Sequence, residues 1–421
     1  MIGRSCIGNS RLMFSVSAAF APPLLMVTNH DSFGVNFVGE SQSGKTTLLR
    51  CAGSVWGGSK NPSGYLQSWR ATANGLEAVA AAHCDCLLCL DEMGQLDARE
   101  AGETAYMLAN GIGKQRAGRT GAGRKPAEWR LILLSSGEIT LADKMMEAGQ
   151  RPRAGQQVRL IDVPSDAGEG LGVFENLHKY PSARAFAEAL RETTQKAYGR
   201  PIREYLPRLV AAWNNKRDAL VETLKEDRAE FMRKHLPTEA SSQVQSVCSH
   251  FSLIAAAGNL ATSYGITRWP NDGPDWAAGE CFKAWVGARG TSGNSEIEDG
   301  IRQVRAFIEA HGSSRFEAPW ENETLGHENH ERIINRVGFR RREGETWQYM
   351  ILPEMWGREV AKGCNARALA RAMVDRKLLI AGNDGKPARL MDVRSHGKLK
   401  LYVLAPGIIS GDAETKTTDA I

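Results

Sequence analysis

Residues 34–46 read Gly-Val-Asn-Phe-Val-Gly-Glu-Ser-Gln-Ser-Gly-Lys-Thr, and this stretch decides how the chain is read. Gly34–Val38 has the composition of a short strand. Gly39–Thr46 fits G-x-x-x-x-G-K-[ST], and residues 46–56 read as a helix, so the motif stands in the strand–loop–helix context its chemistry requires. Glycines let the backbone wrap an anion, and successive N–H groups point at it. The helix N-terminus adds its positive end. The candidate nucleotide-binding residues are Gly39, Glu40, Ser41, Gln42, Ser43, Gly44, Lys45, Thr46 and Thr47. Lys45 would pair with the β- and γ-phosphates of ATP, and Thr46 would offer its hydroxyl to Mg²⁺.

The next element is Leu87-Leu88-Cys89-Leu90-Asp91-Glu92. An apolar strand delivers two acids at its C-terminal end, where open α/β sheets bind ligands. Asp91 is the candidate metal ligand beside Thr46, and Glu92 the residue that activates water. An Asp-Glu pair alone is weak, because most such pairs are solvated strand ends; behind a phosphate loop it is specific. A further strand ends in Ser135-Ser136-Gly137-Glu138, and Ser135 or Ser136 could sense the γ-phosphate. Arg151 and Arg153 precede the fifth strand and Arg159 is placed within it. A guanidinium reaching a neighbouring subunit's site would offset charge in phosphoryl transfer. Arg153 is favoured, then Arg151, then Arg159.

Strands at 34–38, 65–69, 86–90, 130–135 and 158–163 alternate with helices, which predicts an α/β domain with a parallel sheet over residues 1–168. Residues 169–290 carry helical periodicity over 183–195, 202–228 and 244–264, and read as a helical domain. A glycine-rich linker at 287–294 leads to a mixed region over 296–407, and residues 410–421 read as a disordered tail. The 421 residues are 42% hydrophobic and 24% charged, an ordinary globular composition, and a net charge of +5 does not by itself indicate nucleic acid. Eight cysteines without regular spacing exclude a disulfide framework. Cys84, Cys86 and Cys89 lie in and just before an apolar strand, where core packing is favoured over a metal site. Arg4 and Arg11 ahead of the apolar run 12–27 imitate a signal peptide. Polar interruptions and Pro22-Pro23 instead suggest a buried helix of a cytoplasmic ATPase domain, and no stretch is long enough to span a bilayer.

Residues 110–121, Asn-Gly-Ile-Gly-Lys-Gln-Arg-Ala-Gly-Arg-Thr-Gly, are glycine-rich and basic. Glycines permit a tight hairpin, and lysines and arginines neutralise phosphates. Lys114, Arg116 and Arg119 are candidate nucleic-acid contacts, against the alternative of a solvated loop. The C-terminal region reads as helix (301–311), strand (347–352), helix (353–362), a second helix capped by Asn365, then strands at 388–393 and 398–404. This is the order of a winged helix. Residues 358–400 hold eleven Lys/Arg against four Asp/Glu, with Arg367 and Arg371 on the second helix as candidate DNA contacts.

Phe37-Val38-Gly39 into the loop, Trp69-Arg70-Ala71-Thr72-Ala73-Asn74-Gly75-Leu76-Glu77, Cys89-Leu90-Asp91-Glu92 and Ala105-Tyr106-Met107-Leu108-Ala109-Asn110-Gly111 resemble a helicase-like P-loop ATPase family of uncharacterised function. That family is common in prophages and integrative elements and is often associated with primases. The resemblance runs from about Gly8 to about Ile409. It implies an AAA+-like core, a helical region and a winged-helix-like end. It also implies a DNA helicase or translocase that forms a homo-oligomeric ring, a hexamer, with single-stranded DNA in a central channel and a primase or upstream-encoded partner. Two departures matter. The family usually carries a further N-terminal region, and arginines usually precede the helix at 251–258, where Cys248, Ser249 and His250 stand here. If those arginines sense nucleotide, turnover would be slow or Arg268 would substitute. An ATP-gated DNA-binding scaffold that recruits a primase is therefore the rival expectation. An NTPase acting on protein complexes is a third.

Overall fold

A computed structural model describes every residue except 1, 60–63, 115, 118–122, 151–153, 290–294, 321–332, 334, 345, 383–384, 407 and 409–421. It divides into two compact units, Met1–Gly293 and Asn294–Ile421.

The first unit opens with α1 (Ile2–Cys6), α2 (Ser10–Ala18) and α3 (Leu24–Val27). The apolar run 12–27 is thus two helices rather than one, broken ahead of Pro22-Pro23 as proline's missing N–H requires. Every residue of α2 is buried. It packs against α4 (Lys45–Gly53) and, from later in the unit, α12 (Ser242–Ser263) and α13 (Gly273–Arg289). Between α3 and β-rich sequence further on run β1 (Phe33–Val38), β2 (Gln67–Ser68), α5 (Ala73–Ala82), β3 (Cys86–Asp91) and α6 (Ala101–Asn110). A short antiparallel pair follows, β4 (Arg116–Ala117) with β5 (Gly123–Arg124). Then come β6 (Leu131–Gly137), α7 (Leu141–Glu147), α8 (Ala154–Gln157) and β7 (Leu160–Pro164).

Five of these strands form a parallel sheet in the order β2-β3-β6-β1-β7. Both faces are covered, so β3 and β6 are nearly continuous apolar runs. Alternate residues feed two cores. Phe33, Val35, Phe37, Leu87, Cys89, Ile132 and Leu134 face the side of α2, α4 and α12. Leu88, Leu90, Leu131 and Leu133 face the side of α5, α6 and α7. The strand expected at 65–69 pairs only at Gln67–Ser68, while Trp69 turns into the core. Cys89 is buried, but Cys84 is exposed in the turn before β3, so only part of that cluster is core.

Helices α9 (Ala183–Lys196), α10 (Arg200–Asn215) and α11 (Arg217–His235) precede α12. The single helix expected over 202–228 is two, because Lys216 leaves helical geometry at φ −145°. Arg217 then stacks on Trp213, its guanidinium carbon 4.2 Å from the ring centroid.

The second unit contains α14 (Ser295–His311), β8 (Phe316–Glu317), β9 (Gly338–Glu343), β10 (Thr346–Ile351), α15 (Pro353–Met355), α16 (Ala366–Asp375), β11 (Ala388–Val393) and β12 (Gly397–Val403). The helix expected at 353–362 is one short α-turn running into a π-turn, Trp356–Val360. Asn365 caps α16 by accepting from the Ala368 amide at 3.2 Å. Its sheet has the order β11-β12-β10-β9-β8. β9 escaped the sequence reading because Arg340-Arg341-Arg342 looks like surface. Its pleat buries Phe339 and sets Arg340 and Arg342 over Trp347, at 4.4 and 5.9 Å.

Candidate phosphate-binding and hydrolytic site

β1, β3 and β6 lie side by side, and their C-terminal ends bring Lys45, Thr46, Asp91, Glu92 and Ser136 together. Gly44 has φ +102°, a conformation only glycine adopts without strain, and a Cβ there would meet Val173 Cγ2 at 2.7 Å. Gly172 (φ +65°) presses just as closely, since a Cβ would meet the Ser43 carbonyl oxygen at 2.3 Å. The Val173 amide donates to that carbonyl at 3.0 Å. The loop is therefore shaped from outside as well as by its own glycines.

Lys45 is buried, and its ammonium donates to the carbonyls of Gly39 at 2.8 Å and Glu40 at 2.5 Å. Burial lowers its pKa, and the carboxylates of Glu138, Glu92 and Asp91 act in the opposite direction. Thr46 Oγ1 donates to Asp91 Oδ1 at 3.1 Å, and the Ser136 hydroxyl donates to the same oxygen. Among the described residues no group of three or more His, Cys, Asp or Glu is placed to hold a metal. The hydroxyl of Thr46 and the carboxylate of Asp91 are hard oxygen donors that suit Mg²⁺ completed by phosphate and water oxygens. Glu92 is exposed and has φ +64°, strained for a residue with a Cβ. Its N–H donates to Ser136 Oγ at 3.2 Å.

The two serines divide. Ser136 joins Asp91 and Glu92. Ser135 is buried on the other side of the strand, accepting from Trp69 Nε1 at 2.8 Å and donating to Asn36 Oδ1 at 2.8 Å. Asn36 in turn donates to Asp162 Oδ1 at 2.7 Å. Burial raises the Asp162 pKa to about 7. These partners carry no local sequence signal, because Asn36, Ser135 and Asp162 lie on three different strands and Trp69 follows a fourth.

Arg11, which imitated a signal-peptide charge, is buried and structural. Its guanidinium donates to the carbonyls of Pro164 at 3.2 Å and Asp166 at 2.9 Å. It thereby holds the segment that flanks the loop, where Ser165 Oγ lies 3.3 Å from Ser43 Oγ.

Arg151, Arg153 and Arg119 lie outside the described residues, as does the tail 410–421. Arg116 belongs to β4. Lys114 is exposed and pairs with Glu103 at 3.0 Å. Arg159 precedes β7 instead of lying within it, because its N–H closes a turn to Gln156, and its guanidinium sits 4.6 Å from the Tyr106 ring centroid. Arg367 and Arg371 are exposed on α16. His250 stacks on Phe33 with ring centroids 4.2 Å apart. Phe33 begins β1, about 17 Å of strand from Val38 at the loop end. Positions 248–250 therefore sit at the opposite end of β1 from the phosphate loop.

No helix among the described residues is long and apolar enough to cross a membrane. Residues 1–128 match the family model of a domain of unknown function (DUF927). No curated protein sequence matches the chain. A solved structure described as "SCCmec type IV Cch - active helicase" superposes with a TM-score of 0.65 at 16% identity, covering 96% of this chain and 67% of that one. The fold is thus a mixed α/β one with a parallel central sheet and helical regions, similar to that of a helicase.

Proposed function

We propose that the chain is a Mg²⁺-dependent ATPase that works on DNA as a helicase or translocase of a mobile element. The observation that carries this reading is the convergence of Lys45, Thr46, Asp91, Glu92 and Ser136 at the ends of three adjacent parallel strands. Gly39–Thr47 would cradle the triphosphate, with Lys45 turning from loop carbonyls to the β- and γ-phosphates. Thr46 and Asp91 would hold Mg²⁺, which offsets phosphate charge. Glu92 would orient the attacking water and accept its proton, and Ser136 would report on the γ-phosphate. The sheet order, with β6 between β1 and β3, supports an AAA+-like reading of the first unit. The fold shared with a structure described as an active helicase supports work on nucleic acid.

The remaining features extend the reading. The basic β4–β5 hairpin with Lys114, Arg116 and Arg119 would grip single-stranded DNA in a ring, which we take as a hexamer. Arg153 or Arg151 would serve the neighbouring subunit's site. The second unit, with α16 and the β11–β12 hairpin, is read as winged-helix-like, with Arg367 and Arg371 toward DNA. A primase or upstream-encoded partner fits this role. The rival is an ATP-gated DNA-binding scaffold with little turnover; against one of its motives stands the place of His250 on Phe33, at the far end of β1 from this chain's own loop. The test is ATP hydrolysis by wild type and Glu92→Gln, with and without single-stranded DNA. Stimulated turnover that Glu92→Gln abolishes is expected. Nucleotide binding without turnover would sink the reading.

A further inference from the structure

The turn that carries Glu92 is gripped from two sides. In front, Ser136 accepts the Glu92 amide. Behind, Lys144 of α7 donates its ammonium to the Gly94 carbonyl at 2.9 Å and to Glu147 at 2.7 Å. Gly94 belongs to the 3₁₀ turn Met93–Gln95 that follows Glu92 directly. A Cβ on Gly94 would stand 3.6 Å from Glu92 Oε1, so this peptide is the floor beneath the carboxylate. The Lys144 side chain is only 10% exposed. The ion pair with Glu147 offsets the burial of the ammonium and holds it against the Gly94 carbonyl.

Helix α7 is itself anchored. Its first amide, Leu141 N–H, donates to Asp162 Oδ2 at 3.2 Å. Thr140 and Asp143 close a capping box at the same end. Asp162 also holds Asn36 of β1, the strand that leads into the phosphate loop. The chain of contacts therefore runs from β1 through Asp162 and α7 to the peptide under Glu92.

We propose that Lys144 is a positioning residue for Glu92, fixing the strained turn through the Gly94 carbonyl from a helix anchored by Asp162. The role rests on the reading of Glu92 as the water-activating carboxylate. Lys144 touches no reacting atom. Its effect is on the orientation of Glu92, so it belongs to the chemical step and not to nucleotide affinity. Misplacement of a reacting group by about 1 Å can cost up to about 100-fold in turnover, and the loss of one of the two grips on this turn is expected to cost part of that.

The test uses the full chain and compares wild type, Lys144→Met, Lys144→Arg, Glu92→Gln and the double variant Glu92→Gln/Lys144→Met. Steady-state hydrolysis gives kcat and KM, a fluorescent ATP analogue gives affinity, and thermal melting reports folding. Lys144→Met should lower kcat about tenfold with KM and analogue affinity within twofold. Lys144→Arg, which keeps a donor, should recover part of the loss. In the Glu92→Gln background Lys144→Met should change residual single-turnover rate less than twofold, because both act through one group. A Lys144→Met protein with wild-type kcat, a proportional rise in KM, or effects that multiply with Glu92→Gln would each overturn the role. If Lys144→Met does not fold, Lys144→Gln carries the same comparison. A wild type without turnover overturns the hydrolase reading and this role with it; an active wild type with an indifferent Lys144 overturns this role alone.

Discussion

The amide of Glu92 donates to the hydroxyl of Ser136 at 3.2 Å, and that hydroxyl in turn donates to Asp91. One side chain on β6 thus fixes both acids at the end of β3. Ser136→Ala leaves the Glu92 amide and Asp91 Oδ1 without this partner. Turnover should fall about 10–100-fold with KM for ATP nearly unchanged, since the contacts shape the reacting geometry and not the cradle. Steady-state kinetics at saturating Mg²⁺ check this, and a parallel rise in KM would count against it.

Lys45→Ala should remove nucleotide binding without unfolding the chain. At a free ATP concentration 100 times its Kd, ligand linkage stabilises a one-site protein by about 2.7 kcal/mol. Wild type should show that increment in a thermal shift with MgATP, and Lys45→Ala should show none.

Two half-buried groups give opposite pH dependences. Asp162 has its folded pKa raised to about 7 by burial, with the Asn36 and Leu141 hydrogen bonds opposing. The folded state then binds more protons than the unfolded chain between about pH 4 and 7, so this contribution is full at low pH and is lost as pH rises through 7. His30 behaves the other way. Burial first, then the Arg228 charge, lowers it to about 4. Its contribution is full above about 6.5 and is lost as pH falls toward 4. Melting temperature measured from pH 4 to 8 should show both arms. Asp162→Asn should flatten the high-pH fall, and His30→Gln should flatten the low-pH loss.

Arg11→Met should destabilise the first unit by about 2–4 kcal/mol, because two part-buried carbonyl acceptors lose a charged donor. Denaturant titration followed by the tryptophans of that unit would measure it. A change below 0.5 kcal/mol would mean that water replaces the guanidinium.

If the β4–β5 hairpin grips single strands, each phosphate contact contributes about −0.7 to the slope of log K against log salt. Lys114→Ala/Arg116→Ala should shrink the magnitude of that slope by about 1.4 and weaken binding of all sequences alike. An unchanged slope would return these charges to the solvated-loop reading.

What the sequence shows and hides at this site follows from range. Lys45, Thr46, Asp91 and Glu92 announce themselves because loop, strand and helix signals sit within a few residues of each. Asn36, Ser135, Trp69 and Asp162 form one buried chain only after β2, β6, β1 and β7 are set near one another, and nothing beside any of them says so. Lys144 reads as an ordinary surface lysine until α7 is laid against the turn after Glu92. The break at Lys216 and the strand Gly338–Glu343 were missed for a related reason: tertiary packing overrode a plausible local period in one case and a charged appearance in the other. Arg11 lies between these cases: the polar interruptions and Pro22-Pro23 are enough to read its segment as buried helix and not as a leader, but the carbonyls its guanidinium holds lie 153 and 155 residues away, at Pro164 and Asp166.

Gly172 carries a consequence for anyone who would move or rebuild this nucleotide loop. Its missing side chain makes room for the Ser43 carbonyl, and the next amide holds that carbonyl in place. The loop is therefore a composite of two peptides far apart in sequence. A graft of residues 33–53 onto another scaffold would arrive without its mould, and a saturation scan should find Gly172 as intolerant of replacement as Gly44, although no motif marks it.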